Sequence, residues 1–111
     1  MKIRFNINDK DSEIVKDNET YTLIDNTTLN NLVVSKTILH VGKNTTGHKH
    51  PGQEEVYHFI SGEGYMKLDE ETLTVRPGSI VLIPDGVFHK VFNTGLEDLV
   101  FVCVFDGKRN H

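Results

Sequence analysis

What most constrains this chain is the brevity of its apolar runs. From residue 20 onward they are four to ten residues long, each ends in turn chemistry, and none sustains the 3.6-residue repeat of a helix. The runs are IRFNI at 3–7, TYTLID at 20–25, LVVSKTILHV at 32–41, EVYHFI at 55–60, YMKL at 65–68, TLTV at 72–75, SIVLI at 79–83, VFHKVFN at 87–93 and LVFVCVF at 99–105. Between them stand Gly42 to Gly47, Pro51-Gly52, Gly62 with Gly64, Asp69 to Glu71, Pro77-Gly78, Pro84 to Gly86 and Asn93 to Gly95, residues whose backbones bend readily. Eight or nine strands at this spacing predict an all-β sandwich or barrel. Residues 8–19 (NDKDSEIVKDNE) are polar, and the expectation is a surface segment or loose connection.

At 111 residues the chain is one domain, and 37% hydrophobic with 25% charged residues is a globular balance. Twelve Lys and Arg against sixteen Asp and Glu give a net charge of −4, with no basic stripe to neutralise a phosphate backbone, so nucleic acid is not an expected partner. Neither is a membrane: MKIRFNINDKD lacks the apolar core of a leader, and the longest unbroken apolar stretch is the seven residues 99–105. A soluble, cytoplasmic protein is expected. The single cysteine, Cys103, sits inside that stretch and reads as a small buried hydrophobe. The runs IVLI and LVFVCVF are apolar at every position, which predicts that both faces of these strands are covered. A second copy of the chain is the simplest cover, hence an expected homodimer.

The segment Gly47-His48-Lys49-His50-Pro51-Gly52-Gln53-Glu54-Glu55 carries most of the functional information. Two histidines separated by one residue on an extended strand project from one face and reach a common point. The Pro51-Gly52 turn bends the chain back, and Glu55 opens the next strand near where the histidines point. His89 follows the turn Pro84-Asp85-Gly86 much further along. Three imidazoles and one carboxylate suit Fe, Mn, Co, Ni, Cu or Zn far better than Mg or Ca.

From Gly42, five residues lead to His48, one to His50, four to Glu55 and six to Gly62; from Gly78, five lead to Pro84, one to Gly86, two to His89 and three to Asn93. These two strings resemble the paired signature motifs of the cupin superfamily, small barrels of the double-stranded β-helix, jelly-roll-like type, and the fifteen residues between Gly62 and Gly78 resemble the spacing of compact microbial cupins. The resemblance implies a barrel over residues 32–105, N-terminal strands or an extension over 1–31 that contributes to a dimer interface, and a tail over 106–111. It implies one divalent transition metal held by His48, His50, Glu55 and His89. Glu55 takes this place rather than Glu54 because of its spacing to Gly62 and because Glu55, Tyr57 and Phe59 share a strand face. His58 has the opposite parity and is expected to face away, His40 to lie at the surface, and Asn93 to cap a strand end.

Four protein ligands leave about two of six octahedral positions open for water, substrate or dioxygen. By alternation the pocket is expected to be lined by Tyr57, Phe59, Met66, Leu68, Val87 and Val91, with Gln53 at the rim. Tyr57 is the one of these that can move a proton. Three functions fit: a metal-dependent enzyme that isomerises, or eliminates from, a small oxygenated acid or sugar by Lewis-acid proton transfer; an Fe(II) dioxygenase; or a non-catalytic module that binds a small ligand.

Overall fold

The computed structural model describes residue 7, residues 12–49 and residues 51–107. Among these are nine strands and no helix: β1 Glu13–Asp17, β2 Tyr21–Asn26, β3 Leu32–Leu39, β4 Glu55–Ser61, β5 Gly64–Leu68, β6 Glu71–Val75, β7 Ile80–Ile83, β8 His89–Asn93 and β9 Leu99–Asp106. No helix is long and apolar enough to cross a membrane. The strands form two antiparallel sheets, a large one in the order β1-β2-β3-β9-β4-β7 and a small one in the order β6-β5-β8. An all-β architecture with this connectivity agrees with the barrel expected from the sequence.

The run at 3–7 lies outside the described residues except for Ile7. Within 8–19, expected to lie at the surface or form a loose connection, Glu13–Asp17 lies at the surface as an edge strand paired with β2. Four of its five residues are exposed. Its pairing is therefore backbone hydrogen bonding rather than burial of an apolar face, which is why no hydrophobic alternation announces it.

The core lies between the two sheets. Inward-facing residues alternate with outward ones, as in β9, where Leu99, Phe101, Cys103 and Phe105 are buried and the valines between them half-buried. Phe59 and Phe101 meet at a ring separation of 5.0 Å at the centre. Burial of such rings is the main drive for closing the sheets, at roughly 25 cal/mol per Å². Gly62 follows β4 with φ 86°, and a Cβ there would collide with the backbone carbonyl of Asp98, so only glycine lets the β4–β5 turn pass beneath the start of β9. Asn93 ends β8 by donating from Nδ2 to the carbonyls of Leu39 and Glu97, both at 2.9 Å, and accepts from Gly95 N at 3.0 Å.

The outward face of the large sheet is unusually apolar. Val34, Val104, Val56 and Leu82 form one row across β3, β9, β4 and β7, and Lys36, Val102, His58 and Ile80 form the next. Leu82 is 69% and Ile80 61% exposed.

Candidate metal centre

His48 reaches His89 through backbone pairing. Residues 44–48 run alongside β8 as a loosely attached extra strand, with Thr45 N donating to Val91 O at 2.9 Å and His48 and His89 exchanging backbone hydrogen bonds at 3.2 and 3.0 Å. A Cβ on Gly47 would collide with the ring of Phe88, so glycine allows the approach that sets the two histidines side by side. Their rings meet edge to face at a centroid distance of 5.2 Å. The Pro51-Gly52 turn inside the first motif is tied to the turn before His89, because Gly52 N donates to Asp85 Oδ1 at 2.7 Å. Two segments far apart in the chain are thereby held as one rim.

Glu55 is the first residue of β4, between Phe105 of β9 and Ile83 of β7, and its side chain is buried. Glu54 and His58 are exposed, as strand parity dictates. His40 is half-buried, with Nδ1 3.3 Å from Asp98 Oδ1. His89 is buried as well, and its Nε2 lies 3.4 Å from Glu55 Oε1. Its Nδ1 lies 3.1 Å from the carbonyl oxygen of Val87. A carbonyl only accepts, so Nδ1 carries the hydrogen in this bond and, in the neutral ring, Nε2 presents a lone pair. Glu55 Oε1 faces it with lone pairs of its own. Two acceptors set against each other in a buried site are reconciled by a cation between them, either a proton or a metal ion. Orientation of a ligating imidazole by a backbone carbonyl on its other nitrogen is the usual support in metal sites. Among the described residues, no three His, Cys, Asp or Glu side chains close up as a ready metal cluster. His50, the fourth residue of the expected set, lies outside the described residues. The donor chemistry of His48, Glu55 and His89 nonetheless fits a transition ion, since all three line one cavity.

That cavity has a volume of about 250 Å³. Tyr57 and Gln53 line it, as expected. Tyr57 stacks on Phe101 at 5.3 Å with its ring 5.8 Å from that of His89. Gln53 donates one amide hydrogen from Nε2 to Asp106 O at 2.6 Å, so at the rim it fastens the loop to the end of β9. The other expected lining residues are placed differently. Phe59, Met66 and Val91 are fully enclosed in the core, and Leu68 and Val87 pack against it. They are packed into the core and do not border the cavity, so an inward face and a cavity wall are not the same thing. Val87 acts through its carbonyl instead.

The wall includes residues that sequence reasoning passed over: Lys16 and Tyr21 from β1 and β2, Thr37 from β3, and Thr45 and Thr46 beside His48. Cys103, expected as core filling, is buried and also borders the cavity, opposite Tyr57 in the β4–β9 register. The threonines left a faint signal, since polar residues at the inward parity of an apolar strand require a partner or a wet cavity. Lys16 left none.

A family model described as "Cupin domain" matches residues 36–105. An uncharacterized protein of Methanocaldococcus jannaschii is 37% identical over 70 residues, 63% of this chain and 56% of the relative. A glucose-6-phosphate isomerase of Thermococcus kodakarensis is 29% identical over 106 residues, 84% of this chain and 56% of the relative. The chain thus spans about half the length of the curated relatives it matches. Among solved structures, KdgF of Halomonas sp. superposes with a TM-score of 0.80 at 20% identity, covering 96% of each chain, a likeness of fold. With both histidine motifs inside the matched segment and the barrel shared with that structure, the chain belongs to the cupin domain family.

Proposed function

We propose that the chain is a metal-dependent enzyme in which His48, His50, Glu55 and His89 hold one divalent transition ion, and that it acts on a small oxygenated acid or sugar as an isomerase or lyase. The observation that carries this reading is the apposition of His89 Nε2 and Glu55 Oε1 at 3.4 Å inside a cavity that His48 also lines. The match to a relative named as a glucose-6-phosphate isomerase supports the isomerase side of the reading.

When bound, the ion supplies Lewis acidity, which makes a C–H beside a chelated carbonyl or carboxylate more acidic. Everything else falls to the chain. Tyr57, steadied by its stack on Phe101, holds a hydroxyl on the wall near His89, from which a proton passes to or from the substrate carbon. Phe101, Phe105 and Leu23 keep that side of the cavity dry, which strengthens every polar contact made there. Thr37 and Thr45 offer hydroxyls to substrate oxygens.

Metal analysis of protein purified without a chelating tag, followed by exchange of substrate C–H into deuterated water and by oxygen uptake, tests the reading. About one ion per chain with metal-dependent exchange is expected over a panel of 2-oxo acids and sugar acids. Oxygen consumption without exchange overturns the Lewis-acid assignment in favour of a dioxygenase. Ligand-induced stabilisation with neither reaction makes the chain a binding module.

We also infer that a second copy covers the outer face of the large sheet, where Leu82 ends a wholly apolar row and Ile80 ends a row that is apolar at two of its four positions.

A further inference from the structure

We propose that Lys16 is a specificity residue that receives a carboxylate of the ligand, at the end of the cavity away from the histidines; the proposal rests on the reading above only for where the other end of the ligand binds. The placement of Lys16 depends on one irregularity. In the β1–β2 ladder, Ile14 is opposite Ile24, but Lys16 is opposite Leu23, so Val15 is an extra residue without a partner of its own. On a regular strand Ile14 and Lys16, two apart, would share a face. The bulge breaks that parity: Ile14 stays on the outer face with Ile24, and Lys16 turns to the inner face with the buried Leu23. Lys16 is the only residue of β1 that is not exposed, and it borders the cavity.

The chemistry at that end is suited to an anion. Lys16 Nζ lies 3.5 Å from Tyr21 Oη and 6.0 Å from the centre of its ring, so an ammonium and a phenol hydroxyl present donors side by side. Among the described residues no carboxylate forms an ion pair with Lys16. Among the described residues Lys16 is also the only Lys or Arg lining the cavity. One fixed positive charge with a hydroxyl matches a monoanion such as a carboxylate; a phosphate monoester, near −2, calls for more cationic donors. The site is at the edge of the large sheet, four strand positions from the strand that carries Glu55. A volume of about 250 Å³ has room for a ligand of roughly ten non-hydrogen atoms. The ligand class is therefore a small acid with metal-binding oxygens at one end and a carboxylate at the other.

The test is calorimetric titration of the full chain, metal-loaded and metal-stripped, with 2-oxoglutarate, 2-oxoadipate and 2-oxopimelate, each against the 2-oxo monoacid of the same length. The wild type is expected to prefer at least one diacid by about tenfold, the worth of one charge-assisted hydrogen bond at a half-buried site. Lys16→Met, which keeps the stem that packs on Tyr21, is expected to abolish the preference while leaving monoacid binding and metal content unchanged. Lys16→Arg is expected to restore most of it. A preference that survives in Lys16→Met overturns the proposal while the metal reading stands, and so does failure of every diacid to bind. A Lys16-dependent preference in a chain that holds no metal keeps the proposal and removes the metal reading. If glucose 6-phosphate shows the Lys16 dependence and the diacids do not, the carboxylate assignment is overturned.

Discussion

Replacing Glu55 by Gln separates two accounts of why a carboxylate is buried against an imidazole. In the first, Glu55 and a protonated His89 are a structural ion pair. Both side chains are almost fully buried, at 7% and 3% exposure, so removing the carboxylate strands a buried positive charge at a cost of about 3–5 kcal/mol. For a domain of 111 residues each kcal/mol moves Tm by about 4 °C, which gives a fall of about 12–20 °C. In the second account, the one argued above, the two groups are acceptors arranged for a metal ion. Gln keeps the shape of Glu and brings an N–H donor that can satisfy the lone pair on His89 Nε2. The metal-free variant then keeps its Tm or gains up to about 4 °C, roughly the 1 kcal/mol of one hydrogen bond. Its metal affinity falls by about 100-fold or more, since loss of a mere supporting group already costs roughly 10–100-fold. At a metal concentration about 1,000 times the wild-type Kd, metal raises wild-type stability by about 4 kcal/mol, or about 16 °C; after a 100-fold loss of affinity the rise is about 6 °C. Thermal melts of both proteins in chelator and in excess Mn(II) or Ni(II) read all of these quantities. A metal-free variant melting 12 °C or more below wild type, together with an unaltered metal-induced shift in Tm, refutes the metal-site reasoning.

Three further outcomes are expected. Tyr57→Phe preserves the stack on Phe101 and leaves metal content unchanged, while C–H exchange of an accepted 2-oxo acid in deuterated water slows by about 100-fold; unaltered exchange removes Tyr57 from proton transfer. Leu82→Asp puts a charge in the apolar outer row and should convert a dimer to a monomer in sedimentation velocity, with the cavity and its metal intact; a wild-type chain that sediments as a monomer at all concentrations ends the dimer inference. Asn93→Ala leaves the carbonyls of Leu39 and Glu97 without their side-chain donor and should cost about 2 kcal/mol in urea denaturation, whereas a loss under 0.5 kcal/mol would show that water replaces the donor.

Much of the barrel could be read from the chain because its strands are buried on one face and bounded by glycine, proline and short polar residues. Parity then carries far: the alternation that buries Tyr57 and Phe59 also turns Glu55 inward and His58 outward. Parity does not say how deep a side chain sits. Phe59, Met66 and Val91 satisfy the inward alternation, but they are packed into the core and do not border the cavity, which no local pattern records. The convergence of His48 and His89 belongs to the same class. It depends on an isolated backbone bridge and on the absence of a side chain at Gly47, and from sequence it was accessible only through resemblance to the cupin motifs.

The division of the cavity follows the same line. Residues 36–105, the segment matched by the family, contain His48, Glu55, Tyr57 and His89, together with Thr37, Thr45 and Cys103. Lys16, Tyr21 and Leu23 lie before it and close the cavity from the edge of the sheet. A fold that hosts many chemistries has to vary its ligand contacts without disturbing the donors that define the centre. An edge strand outside the matched segment is free to do this, because its pairing demands little of its sequence and a single extra residue decides which side chains it sends inward. In this chain the extra residue is Val15. Deleting Val15 should remove the bulge but leave Ile14 opposite Ile24 on the outer face and Lys16, now its direct neighbour, opposite Leu23 on the inner face, so the diacid preference should survive. If the deletion variant loses the preference although it folds and keeps its lysine, the pairing of Lys16 with Leu23 is not what aims Lys16 into the cavity.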